Sequence, residues 1–211
     1  MNRLDELEPA HRDVLVGAAI LGRTFRVNEV EILMERDVLP GLDDAFERGF
    51  LERDDSSSVP RFSFSTISFH EICKSRLQDL RSRELHRRAA ELKLHRADYV
   101  DGRDDGAIAD HLVAAGSNVE AVEPSLRAAN HSLRMAGNVE AHYYLTLALG
   151  GMTPHDPRRF DALLERERVL RAWGRRRPQG ADIRELISIA ERLETPALEV
   201  RAAIRLLRFY L

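Results

Sequence analysis

Apolar residues recur mostly at helical spacing along this chain. Val14, Leu15, Ala18, Ala19 and Leu21 share one side of a 3.6-residue period, Pro9 stands near the first turn, and Glu6 and Glu8 precede it. That spacing predicts an amphipathic helix. Gly22 follows where a left-handed C-terminal cap belongs. Val27, Val30, Leu33 and Met34 make a shorter stripe, with Asn28 as its expected N-cap. Leu39, Leu42, Ala45, Phe46 and Phe50 make a third, which Gly49 ends. The polar turn DDSSSVP then separates two extended stretches, and Phe62 and Phe64 alternate on one face of the second. The pattern predicts a hairpin running out over 50–53 and back over 61–65. Residues 69–95 read as one or two helices. Phe69, Ile72, Cys73, Leu77 and Leu80 form one stripe, and Leu85, Ala89, Leu92 and Leu94 continue the packing surface.

Three helices and a hairpin make a winged-helix pattern, assigned here to residues 1–95. After the polar break ADYVDGRDDG at 97–106, helical stripes follow at short intervals, punctuated at Gly116, Gly137, Gly150, Gly174 and Thr195. From Phe160 to Leu198, one helix pair to the next, is 38 residues, near the period of tetratricopeptide repeats. No repeat carries the full consensus, and a plain helical bundle is the alternative. The expected fold is therefore mainly α: a winged-helix unit with a small β-hairpin, then a tetratricopeptide-like array over 96–211.

A winged helix suggests DNA, and charge argues against it. The third helix and the wing offer Asp43, Asp44, Glu47, Glu52, Asp54 and Asp55 beside Arg48, and residues 1–85 hold 12 Lys and Arg against 17 Asp and Glu. Phosphate attraction would become repulsion, so packing against protein is expected and nucleic acid is not. A DNA-binding regulator remains the alternative class, and a stand-alone tetratricopeptide adaptor a third. No apolar run approaches the length of a membrane span, and MNRLDELEPAH has no apolar signal region. The single cysteine, Cys73, cannot form an internal disulfide. A cytoplasmic setting is expected, with Cys73 as a small buried hydrophobe.

Candidate chemistry is sparse. Residues 17–24, GAAILGRT, differ from a phosphate-binding loop only by Arg23 for Lys, yet they lie in a helical pattern with no preceding strand. The eight histidines include no zincin pair, and no G-x-S-x-G occurs. His111 and His142 read as packing residues and Trp173 as core. No enzyme activity, metal or cofactor is expected. One basic cluster remains, Arg166, Arg168, Arg171, Arg175, Arg176 and Arg177, with Glu165 and Glu167 interleaved. It reads as a salt-bridged solvated face or as a surface for an acidic partner. In the segment AAIRLLRFYL either Ile204, Leu207 and Tyr210 or Leu206, Phe209 and Tyr210 line a face awaiting another helix, which makes Leu207, Phe209 and Tyr210 candidate partner residues. The array is expected to continue in a longer parent, or the face to be covered by self-association.

The segments LDELEPAHRDVLVGAAILGRTF, RGFLER and FSFSTISFHEICKSRLQDLRSRELHRRAAE occur in that order. They resemble bacterial regulatory ATPases of the STAND class, over about residues 4–94 and more loosely beyond. The resemblance implies an AAA-like NTPase followed by a winged-helix segment and tetratricopeptide-like repeats, with this chain as the part after the NTPase. Its partner would be the adjacent NTPase domain or another protein. In the family the strand runs into F-S-H-A-L, whereas Thr66 stands here at the histidine position, which removes the expected nucleotide-sensing side chain.

The helical reading of residues 17–24 generates a prediction. Calorimetry with Mg-ATP will show no micromolar binding. An isotherm that disappears when Gly22 and Arg23 are both changed to Ala would overturn it.

Overall fold

The computed structural model describes residues 3–56, 59–77 and 79–211; the side chain of Leu80 lies outside the described residues. Within them the chain is mainly helical, with one three-stranded antiparallel sheet. It divides into two compact units, Met1–Ala97 with Ala114–Gly116, and Asp98–Val113 with Ser117–Leu211.

In the first unit a short 3-10 turn (Arg3–Glu6) precedes α1 (Pro9–Leu21), β1 (Thr24–Arg26), α2 (Val27–Met34) and α3 (Leu39–Glu47). Then come the hairpin β2 (Leu51–Asp54) and β3 (Arg61–Phe64), α4 (Ile67–Ser75) and α5 (Asp79–Leu94). Every residue of α1 from Val14 to Leu21 is buried, so the GAAIL stretch is a helix at the centre of a core. A Cβ at Gly17 would collide with the Sδ of Met34; this glycine admits a crossing side chain, not a phosphate. Gly22 takes φ 119° and ψ −170°. It is a positive-φ position that favours glycine, but the chain is extended there rather than left-handed helical as expected.

The sheet order is β1-β3-β2. Phe25 pairs with Phe62 and Leu51 with Phe64, and all four side chains point into the core. The hairpin matches the expected wing. β1 was not expected, because three residues are too few to show a period, and only pairing with β3 makes Thr24–Arg26 a strand. Asn28 is not the N-cap of α2. The helix begins at Val27, and the Glu29 carboxylate accepts the Arg26 N–H at 2.9 Å. Leu39, Phe46 and Leu94 are exposed rather than packed. The core instead takes Leu42, Ala45, Phe50, Phe69, Cys73, Leu85 and Ala89. Burial pushes the Cys73 thiol up to about 12, which suits a small hydrophobe. Thr66 caps α4 by accepting the Phe69 N–H at 3.2 Å. His70 is largely enclosed, with Nε2 2.9 Å from the Ala19 carbonyl at the end of α1.

The second unit comprises α6 (Asp105–Ala114), α7 (Val122–Arg134), α8 (Asn138–Gly151), α9 (Arg159–Ala172), α10 (Arg176–Leu193) and α11 (Pro196–Tyr210). The extensive contacts among α7 to α11 run from each helix to the next in sequence, the mark of a stacked array rather than a bundle. Helix starts recur regularly: Val122 to Arg159 and Arg159 to Pro196 are 37 residues each. The repeat is thus one residue shorter than the spacing of apolar residues suggested. Gly150 lies inside α8 instead of breaking it, and α10 begins at Arg176, just after the break at Gly174.

The polar break at 97–106 is a built loop. Asp105 is fully buried. Its carboxylate accepts the Gly102 N–H at 2.7 Å, the Tyr99 hydroxyl at 3.1 Å, and Arg127 Nε and Nη2 at 2.9 and 2.7 Å. Burial pushes this carboxyl up, but the Arg127 guanidinium, the Gly102 N–H and the Tyr99 hydroxyl outweigh it and hold it below the ordinary carboxylate value. A carboxylate lowered on folding contributes stability above its unfolded pKa and loses it as pH falls through the folded value. Asp105→Asn should therefore destabilise the chain by about 2–3 kcal/mol at pH 7. That gap should shrink progressively below about pH 4. Urea melts of both proteins from pH 7 to pH 3 check this; a gap independent of pH would contradict it.

Candidate functional site

α11 presents two different faces. Pro196 occupies its first turn, where a missing N–H does no harm. Ala202 is buried, Leu198 packs on the core, and Phe209 turns inward. The Phe209 ring lies under the Arg176 guanidinium at 4.1 Å and 3.2 Å from where a Cβ at Gly180 would stand. Arg176 also donates to the Phe209 carbonyl. The opposite face carries Val200, Ile204, Leu207 and Leu211, exposed by 59, 43, 60 and 95%. With Ala197 these follow a 3-4-3-4 spacing, the seam along which one helix receives another. At 100° per residue Arg201, Arg205 and Arg208 stand on one flank of the seam, and Ala203, Tyr210 and Glu199 on the other.

The 37-residue repeat relates this seam to a covered one. Phe160, Leu163, Glu167 and Leu170 of α9 occupy the positions that Ala197, Val200, Ile204 and Leu207 occupy in α11. The four residues of α9 are all buried. Their cover comes from the next pair of helices. Gln179 of α10, itself buried, donates from Nε2 to Glu167 Oε1 at 2.8 Å. Arg205 of α11 brings Nε to 3.4 Å from Glu167 Oε2, and Arg201 sits over the Phe160 ring at 5.1 Å. α9 thus shows what this face does when a helix pair packs on it.

The sequence-derived partner residues separate into two groups. Arg166 is engaged internally, its guanidinium forked on the buried Asp182 carboxylate at 2.6 and 3.0 Å. Arg168 lies 3.5 Å from Glu165, and Arg171 is 3.9 Å from Glu167. Arg175 is exposed at the N-terminal boundary of α10. Arg166, Arg168 and Arg171 are therefore engaged in intramolecular pairs, while Arg175 faces solvent. Phe209 belongs to the inner face. Leu207 and Tyr210 are exposed, as expected. Glu167, read as part of a solvated face, is fully enclosed, a position that only the seating of α10 and α11 reveals. Trp173 is 38% exposed and lies tilted against the His142 ring at 5.3 Å instead of entering the core. Burial pushes the His142 pKa down, and Arg166 adds to the effect. Among the described residues no group of His, Cys, Asp or Glu is placed to hold a metal ion, and no helix is long and apolar enough to cross a membrane.

Because Glu167 joins three helices, Glu167→Ala should cost about 3 kcal/mol, leaving Gln179 without its acceptor and Arg205 without its ion-pair partner. Denaturant unfolding measures the loss. Limited proteolysis should show earlier cutting within α11 than in the unaltered chain, and equal stability would refute the assignment.

No family model matches the chain, and no curated protein matches it. One solved structure does: the crystal structure of a Signal Transduction ATPase with Numerous Domains (STAND) protein with a tetratricopeptide repeat sensor, from Pyrococcus horikoshii. The similarity has a TM-score of 0.45 at 10% sequence identity and covers 98% of the present chain. The present chain spans about half, 48%, of that one.

Proposed function

We propose that this chain is a non-catalytic interaction segment of a regulatory ATPase, and that its second unit receives a protein partner on the outer seam of α11. The ATPase setting rests on the ordered sequence segments between residues 4 and 94. The partner surface rests on one observation: the repeat maps the exposed Val200, Ile204 and Leu207 onto α9 positions that a following helix pair covers completely. The occupant is therefore a helix with its own apolar seam. Its edge beside Arg208 is acidic, since that guanidinium is exposed on the flank, whereas Arg201 already pairs with Asp161 at 2.7 Å and Arg205 lies against Glu167. Covering the three side chains contributes about 1.5–3 kcal/mol each before the entropy of association is subtracted.

Two synthetic helical peptides with one leucine seam, one flanked by Glu and the other by Lys, test this by calorimetry. The Glu-flanked peptide should bind at least tenfold more tightly, and Leu207→Glu should abolish its binding with the fold intact by circular dichroism. Equal binding of both peptides, or binding that survives Leu207→Glu, would overturn the proposal. So would a concentration-dependent dimer in sedimentation that Leu207→Glu dissociates, since the seam would then be occupied by a second copy.

A further inference from the structure

A second site lies in the first unit, on the outer face of the sheet beside the start of α2. In the β1–β3 ladder Phe64 N–H donates to the Arg23 carbonyl at 2.9 Å and Val27 N–H to the Pro60 carbonyl at 3.3 Å. Counting along the register from these bonds makes Arg26 and Arg61 directly opposed at a non-hydrogen-bonded pair. There Cα atoms approach to about 4.5 Å and side chains lie closest. Like charges so placed are destabilising. The sheet puts Asp54 on the other side of Arg61, through the β2–β3 pairing, and not between the two arginines.

The paired arginines open onto a pocket of about 200 Å³ lined by Thr24, Phe25, Arg26, Glu29, Arg61 and Arg96. Thr24 shares the outer face of β1 with Arg26, two residues away. Arg96 enters from beyond α5, its side chain one-third exposed and its Nη1 3.7 Å from Glu29 Oε1. Glu29 supplies the one carboxylate of the lining, and its Oε2 already accepts the Arg26 N–H. Three guanidinium groups and one carboxylate leave the pocket with a formal charge of +2.

We infer that this pocket binds a phosphate group, free or on a small monoester. A compact dianion matches the charge. It converts the repulsive Arg26–Arg61 pair into a two-armed clamp, and guanidinium forks fit tetrahedral oxyanions through paired hydrogen bonds. The Thr24 hydroxyl supplies a further donor on the same face.

Thermal unfolding of the full chain at pH 8, in phosphate and in chloride at equal ionic strength, tests the inference. Inorganic phosphate should raise the midpoint by several degrees over chloride. Glycerol phosphate run in parallel distinguishes a site for the free ion from one that also takes a monoester. Arg61→Thr should lose the phosphate response while melting no lower than the parent in chloride, because the like-charge pair is gone and threonine suits a strand. Arg96→Gln lies outside the sheet and should weaken the response about tenfold in phosphate concentration. It carries the test if Arg61→Thr folds poorly. Equal midpoints in phosphate and chloride, or a response retained in both variants, would overturn the inference.

Discussion

The second unit depends on an enclosed carboxylate. Glu167 projects from α9 into a place where Gln179 of α10 and Arg205 of α11 meet it, and it has no exposure to water. An isolated buried charge is prohibitive, so this arrangement holds only when both following helices are seated. The neighbouring Leu163 and Leu170 supply non-directional burial, whereas Glu167 fixes which groups must face them. Asp105 plays a comparable part at the start of the unit, where one carboxylate orders a loop, the first turn of α6 and Arg127 of α7. Both sites set position through a buried ion that has one arrangement of donors.

The same helical repeat that buries α9 leaves α11 with an apolar outer face. At position 167 the covered helix has a charge awaiting two specific donors; at the equivalent position 204 the uncovered helix has isoleucine. A face that seats a defined helix pair can be polar and selective. Apolar contact is non-directional, so an apolar face leaves selectivity to the charges at its rim. In the first unit, charge at the third helix and the wing is met internally. Asp44 lies between His11 and Arg48, and Arg53 lies between Asp43 and Asp55. Arg48 and His11 hold the Asp44 carboxyl below its ordinary value.

The apolar period along the chain was sufficient to place most helices, because each buries a continuous stripe and a stripe repeats every 3.6 residues. It also located the hairpin, from the alternation of Phe62 and Phe64, and excluded a phosphate loop at residues 17–24, since Val14 to Leu21 carry a helix period through it. The exposed stripe of α11 was legible for the same reason, at Leu207 and Tyr210. The choice between that face and the one through Leu206 and Phe209 stayed open, because one turn of a helix cannot show which of two adjacent aromatics a neighbour will take. That choice fell to Arg176 and Gly180, 33 and 29 positions away in sequence.

Long-range partnership could not be read locally. β1 is three residues whose strand character exists only against β3, and the opposition of Arg26 and Arg61 follows from that register alone. Glu167 and Arg166 look alike in sequence, alternating charges on an arginine-rich helix. Tertiary packing encloses the first completely and binds the second to Asp182, because burial belongs to the surface that arrives and not to the residue that waits. The sequence determined the periodic faces and the absence of a cradle in GAAILGRT. The tertiary structure decided which polar groups are buried, which arginines are committed internally, and which apolar face remains open.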